Sequence, residues 1–254
     1  MSEVLTSFEQ GVARIAINRP QQRNALNNAV LAGLRCSLRD AANRSDIRVI
    51  TLTGEGDQVF CAGADLKAAL GEGDRFGRSD FRQLLLEIHQ CPKPTVALAR
   101  GHVMGGGLGI FLACDLSLAC EDIHFSTPEI HVGMFPMMVL ALLYRVVGRK
   151  KATEMIFLGE RMSAEDARDC GIVNQVYPRE TFDGAADAFV RRLAEKSGCI
   201  LRLGKEAIAA VEDLPLPSAL EYLESALARL MKTEDSKEGL RAFLEKRKPR
   251  WIDD

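Results

Sequence analysis

Two short apolar runs, residues 47–53 and 95–99, constrain this chain more than any other feature. Each is rich in β-branched residues, too short for a helix, and too continuously apolar for a strand with one wet face. Both therefore read as strands buried on both sides. Around them the period changes. Val30, Leu31, Leu34, Leu38 and Ala42 mark one face of a helix, with Asn27 or Asn28 as its N-cap. Phe81, Leu84, Leu85 and Ile88 mark a second helix. Ahead of these, residues 4–18 alternate, with Ala13, Ile15 and Ile17 on one side, a hairpin turn expected at Gln10-Gly11, and Arg19-Pro20 closing the strand. Further short strands are expected at 116–119 and 123–125. Past about residue 136 the texture is helical. Ser163 and Asp166 form a capping box, and Phe182, Ala186, Phe189, Val190 and Leu193 form an apolar stripe. Pro217 suits a first helical turn, and Leu240, Phe243 and Leu244 mark the last helix. Strands alternating with helices, then helices alone, predict an α/β core over residues 1–195 and a helical region over 196–254.

Composition excludes several classes. The 254 residues carry a formal net charge of −2, and the basic cluster from Lys246 to Arg250 reads as a solvated helix end, so no nucleic-acid partner is expected. No apolar run approaches the roughly 18 residues of a membrane span, and the N-terminus lacks the features of a secretory signal. Seven cysteines are scattered without a C-x-x-C pair, which fits reduced thiols and a cytoplasmic location better than a disulfide framework. His89, His102, His124 and His131 make no metal-binding spacing, so no metal is expected. A G-x-S-x-G elbow is also missing.

Three segments carry candidate chemistry. In the first, a strand ending at Phe60-Cys61 runs into Ala62-Gly63-Ala64-Asp65, small residues that let a ligand approach the backbone. Taken alone, this is a tight turn into a helix. The second is Gly101 to Gly109, with three successive glycines at 105–107. Neither a dinucleotide fingerprint nor a phosphate loop fits its spacing, because Ile110 and Leu112 occupy the positions where a third glycine would fall. It reads as a second source of backbone N–H groups. The third is Phe125-Ser126-Thr127-Pro128-Glu129-Ile130, where apolar neighbours would desolvate Glu129 and raise its pKa toward that of a useful proton shuttle. Its plain alternative is an acid at a helix N-terminus.

The ordered combination is more specific than any part. IAINRP at 15–20, RNAL at 23–26, AGADLK at 62–67, GGG at 105–107, FSTPEI at 125–130, GERMSAEDARDCGIV at 159–173 and AFLEKRKP at 242–249 resemble the crotonase (enoyl-CoA hydratase/isomerase) family along nearly the whole chain. The resemblance implies a superhelix of ββα turns with a C-terminal helical region for oligomerisation and closure of the coenzyme A site, assembled as a homotrimer or a dimer of trimers. It implies an acyl-CoA substrate and no other cofactor. The backbone N–H groups of Ala64 and Gly106 would form an oxyanion hole for the thioester. Arg23, Ala25, Leu26, Ala62, Asp65 and Leu66 would line the coenzyme A path, and Lys246 would offer a cation to its phosphates.

The family's hydratases carry two glutamates. Here Glu129 matches one, and Gly109 stands where the other would be. A lone carboxylate matches the family's Δ3-Δ2-enoyl-CoA isomerases, because shifting a double bond needs one base and no oriented water. A hydratase or another crotonase-type lyase is the alternative, and a non-catalytic acyl-CoA-binding protein is a third. After Pro136, Met137, Met138, Val139 and Leu140 replace the small residues usual in the family. They read equally as helix core and as a flexible lining for an acyl tail.

Overall fold

The buried runs come together in a mostly parallel six-stranded sheet. The computed structural model describes residues 2–65 and 77–253. Strands β1 (Val4–Glu9) and β2 (Val12–Ile17) form an antiparallel hairpin, turned at Gln10-Gly11 with φ of 49° and 80°. Strands β3 (Val49–Gly54), β5 (Thr95–Ala99), β7 (Leu116–Cys120) and β10 (Gln175–Tyr177) then add in parallel, giving the order β1-β2-β3-β5-β7-β10. Parallel strands need a crossover between them. Helix α1 (Asn28–Asn43) supplies the first, and it starts where the Asn27 side chain accepts a hydrogen bond from the Val30 N–H. Its inward face is Val30, Leu31, Leu34, Leu38 and Ala41, with Ala42 half-buried one position off the expected stripe.

Strict alternation along β2 fails for a definite reason. Ala16 is buried as well as Ala13, Ile15 and Ile17. The second face of the sheet is covered by a later helix (Phe182–Ala194), whose Asp187 pairs with the outward-pointing Arg14 at 2.9 Å.

A smaller sheet stands beside the first, in the order β4 (Val59–Cys61), β6 (His102–Met104), β8 (His124–Ser126), β9 (Met162–Ser163). Strands β4, β6 and β8 are parallel, so their C-terminal ends share one edge. Strands β6, β9 and β10 escape sequence reading because two or three residues are too few to show a period. The remaining helices are α2 (Arg78–His89), α3 (Gly106–Ala113), α4 (Met137–Val146), α5 (Arg149–Leu158), α6 (Ala164–Asp169), α7 (Phe182–Ala194), α8 (Gly198–Val211), α9 (Leu216–Leu230) and α10 (Glu234–Leu244). Ser163 caps α6 by accepting from the Asp166 N–H, as the sequence predicts.

The last helix turns the other way from the expected one. Its inward face is Asp235 and Ala242, and Asp235 accepts hydrogen bonds from Ser197 Oγ and the backbone N–H groups of Ile252 and Asp253. Leu240, Phe243 and Leu244 face outward, with Phe243 81% exposed. Among the described residues no helix is long and apolar enough to cross a membrane.

Candidate active site

The shared edge of β4, β6 and β8 delivers the three segments to one place. Strand β4 leads into Ala62-Gly63-Ala64, β6 into Gly105 and the start of α3, and β8 into a 3-10 turn (Pro128–Val132) that carries Glu129. A chain leaving the carboxyl end of a parallel strand turns back as loop or helix, and the crevice outside those ends is where such sheets bind ligands.

Ala64 and Gly106 both border this crevice. Residues 62–65 are clipped to the RNAL segment by hydrogen bonds from Ala62 N–H to Arg23 O (3.1 Å), Leu26 N–H to Gly63 O (2.8 Å) and Asp65 N–H to Leu26 O (2.9 Å). That parallel ladder uses the neighbours of Ala64 and turns its own N–H to the other side. Gly106 is the first residue of α3, so its N–H has no partner within the helix. Neither N–H donates to a backbone carbonyl among the described residues. The two segments touch: a Cβ built on Gly63 would lie 2.9 Å from Gly106 N, and Gly63 sits at φ +87°. Only glycine meets both requirements.

Glu129 faces the same crevice. Its Oε2 is buried with no hydrogen-bond partner. Burial pushes its pKa up from the ordinary glutamate value, a hydrogen bond from the backbone opposing in part. Its seat depends on Gly105, which has φ +52° and ψ −127° and where a Cβ would lie 2.8 Å from Glu129 Oε1. The glycine run thus serves two needs, a conformation closed to other residues and room for the carboxylate.

The cavity measures about 210 Å³ and is lined by Ala62, Gly63, Ala64, Gly105 and Gly106 on one side, and by Phe81, Val132 and residues 134–139 on the other. Glu129 is the single ionisable side chain among the described residues that line it. A Cβ built on Gly109 would lie 3.3 Å from both Phe81 Cζ and Val139 Cγ2, and 3.6 Å from Leu85 Cδ2. The position at which the resemblance would place a second acid therefore faces an apolar wall, and Phe81 and Val139 would have to give by a few tenths of an ångström to admit even one added carbon.

Other residues singled out in the sequence sit around this centre. Ala62 lines the cavity. Leu26 is fully buried beneath Gly106, and Ala25 is buried with its carbonyl accepting from Arg19 at 2.7 Å. The Asp65 carboxylate is held by Arg19 at 3.2 Å, and so braces the loop. Arg23 is exposed at the rim of a separate polar cavity with His102, His124 and Arg161. Lys246 is exposed just past α10 and does not line the cavity around Glu129. Leu66 lies outside the described residues. Val139 lines the cavity, the lining role the sequence left open for residues 137–140, whereas sequence reasoning missed Phe81 and Leu85, whose helical spacing signals only a buried face. It also missed Asn24, which is fully buried and donates to the carbonyls of Glu55 (3.0 Å) and Val59 (2.7 Å), pinning the approach to β4.

The sequence profile of the enoyl-CoA hydratase/isomerase family matches residues 7–254. The chain belongs to that family. It is thus an acyl-CoA enzyme with the crotonase fold. It is 34% identical to the 2,3-dehydroadipyl-CoA hydratase of Escherichia coli, over 98% of each chain. It is 32% identical to the mitochondrial enoyl-CoA hydratase domain-containing protein 3 of Rattus norvegicus, over 97% of this chain and 84% of that one. The crystal structure of an enoyl-CoA hydratase from Bacillus anthracis superposes with a TM-score of 0.94 at 32% identity, covering 99% of this chain and all of the other.

Proposed function

We propose that this enzyme shifts the double bond of a 3-enoyl-CoA into conjugation with the thioester, with Glu129 as its one proton carrier. The supporting observation is that, among the described residues, Glu129 is the one ionisable side chain lining an apolar cavity, beside two N–H groups that donate to no backbone carbonyl. The thioester oxygen accepts from the N–H groups of Ala64 and Gly106. The Glu129 carboxylate removes a proton from the carbon beside the carbonyl, and the electron pair moves onto the oxygen as a dienolate. Preorganised donors grip this charge harder than the starting carbonyl, which lowers the barrier. The same carboxyl group returns the proton two carbons along, and the double bond comes to rest next to the carbonyl. Atoms balance, and no water takes part. Coenzyme A would run past Ala62 and the RNAL segment, with Arg23 at its edge and Lys246 arriving from a neighbouring subunit.

Hydration is the second reading, favoured by the names of the relatives. It requires a group to activate water, and the described lining offers none besides Glu129. A non-catalytic acyl-CoA carrier would have no use for a desolvated carboxylate at the thioester. The assay that separates these follows the absorbance of the conjugated thioester with purified protein. A rise on 3-hexenoyl-CoA with no fall on crotonyl-CoA is expected. A fall on crotonyl-CoA alone would overturn the isomerase in favour of the hydratase.

The outward apolar face fits the implied trimer. Leu216, Leu220, Leu227, Leu240, Phe243 and Leu244 on α9 and α10 are all more than half exposed in one chain, large apolar side chains that a neighbouring subunit would cover. A particle of three times the 27.9 kDa chain mass, or six, is expected by light scattering. The double variant L227E/F243E should shift it to monomer, and a wild-type protein that is monomeric at micromolar concentration would sink the assembly. All seven cysteines are free thiols.

A further inference from the structure

The cavity around Glu129 is closed toward Gly109 and open toward α4. On the closed side Phe81 and Val139 already crowd a single added carbon. On the open side, Met137 and Met138 line the reaction cavity and also line a second one, of about 530 Å³, between α2, α4 and α8. We propose that this second cavity takes the distal part of a long, unbranched acyl chain, with Met137 and Met138 as the gate between the two. This rests on the reading that a coenzyme A thioester sits at Glu129.

Three observations carry the assignment. The lining next to the gate is apolar, with Leu85, Leu86 and Leu142. Met137 is 68% exposed at the junction, a large apolar side chain left in water unless something lies over it. Methionine is unbranched and adapts to the shape beside it, so two of them make a passage that a chain can part. The far end is polar. Glu212 lies 2.9 Å from His89 and 3.6 Å from Arg145, and Arg145 also faces Asp213 at 3.7 Å. Arg82 lines this end as well, so it is the apolar stretch beside the gate, and not the far end, that selects the chain. From Met137 to Arg145 the chamber follows α4 for roughly 12 Å. A six-carbon acyl group would stay near the gate, and a longer one would fill the chamber.

The test compares binding of hexanoyl-CoA and dodecanoyl-CoA by calorimetry. Neither carries a double bond, so neither turns over. Wild type is expected to bind dodecanoyl-CoA at least about tenfold more tightly, since each methylene added beyond the gate leaves water. Ala141→Trp on α4 and Ala209→Trp on α8 fill the chamber from opposite sides, and each should reduce that ratio to about twofold or less. Equal affinities in wild type would overturn the proposal, even if both tryptophan variants failed to fold. A ratio that survives both substitutions would overturn it as well. Absence of isomerisation on 3-hexenoyl-CoA would overturn the role of Glu129 and leave the binding ratio to decide the chamber.

Discussion

Replacing Glu129 with Gln should cost isomerisation of 3-hexenoyl-CoA about a thousandfold in kcat, with little change in KM, because a positioned general base is worth roughly 10² to 10⁴ in rate. Gln keeps the shape of the side chain and the seat above Gly105, so the loss reads out the proton and not the packing. The pH profile gives a second signature. Burial raises the pKa of Glu129 above the ordinary glutamate value of 4.5, and the reaction needs the ionised form. The acid limb of kcat/KM should therefore lie above pH 4.5 in wild type. Stability carries the opposite sign. Between the unfolded value and the raised folded value, the native state holds a proton that the unfolded chain has released, so stability falls as pH rises through that window. The Gln variant has no such proton, and its thermal midpoint should vary less with pH there. An E129Q enzyme that isomerises 3-hexenoyl-CoA within threefold of wild type, or about half a decade, would remove Glu129 from the mechanism.

Much of this site is legible in the sequence because its parts are backbone-driven. Small residues after β4 and a glycine run after β6 are the trace of amides that must approach a ligand closely. A proline-glutamate step after β8 is the trace of a carboxylate held at the same sheet edge. What the sequence leaves out is what surrounds them. Phe81, Leu85 and Val139 come from helices distant along the chain, and nothing in their 3.6-residue spacing separates a cavity wall from a core face. The orientation of α10 is hidden for a related reason. Leu240, Phe243 and Leu244 form a regular apolar stripe, and a stripe signals burial without saying whether in the same chain or against another. The two-residue and three-residue strands β9 and β10 show no period, and tertiary pairing with β8 and β7 decides them. Asp65 shows a similar limit: nothing in the AGADLK segment signals that its carboxylate pairs with Arg19, far away in sequence.

Restoring the second acid by Gly109→Glu should not create a hydratase. The added side chain starts 3.3 Å from Phe81 and Val139 at its first carbon, and its carboxylate would have to enter an apolar wall. Overpacking and an unpaired buried charge together cost about 3 kcal/mol or more. For a chain of this size that lowers the thermal midpoint on the order of 10 °C. Hydration of crotonyl-CoA should stay at background, because a carboxylate wedged among Phe81, Leu85 and Val139 has no water to polarise. Combining Gly109→Glu with Phe81→Ala opens space beside the new acid, and this pair should be the first in which slow hydration appears. Gly109 thus belongs to a wall in which Phe81 and Val139 stand where an added side chain would have to pass. A Gly109→Glu enzyme that melts with wild type and hydrates crotonyl-CoA would show the wall to be soft, and would return the hydratase reading to first place.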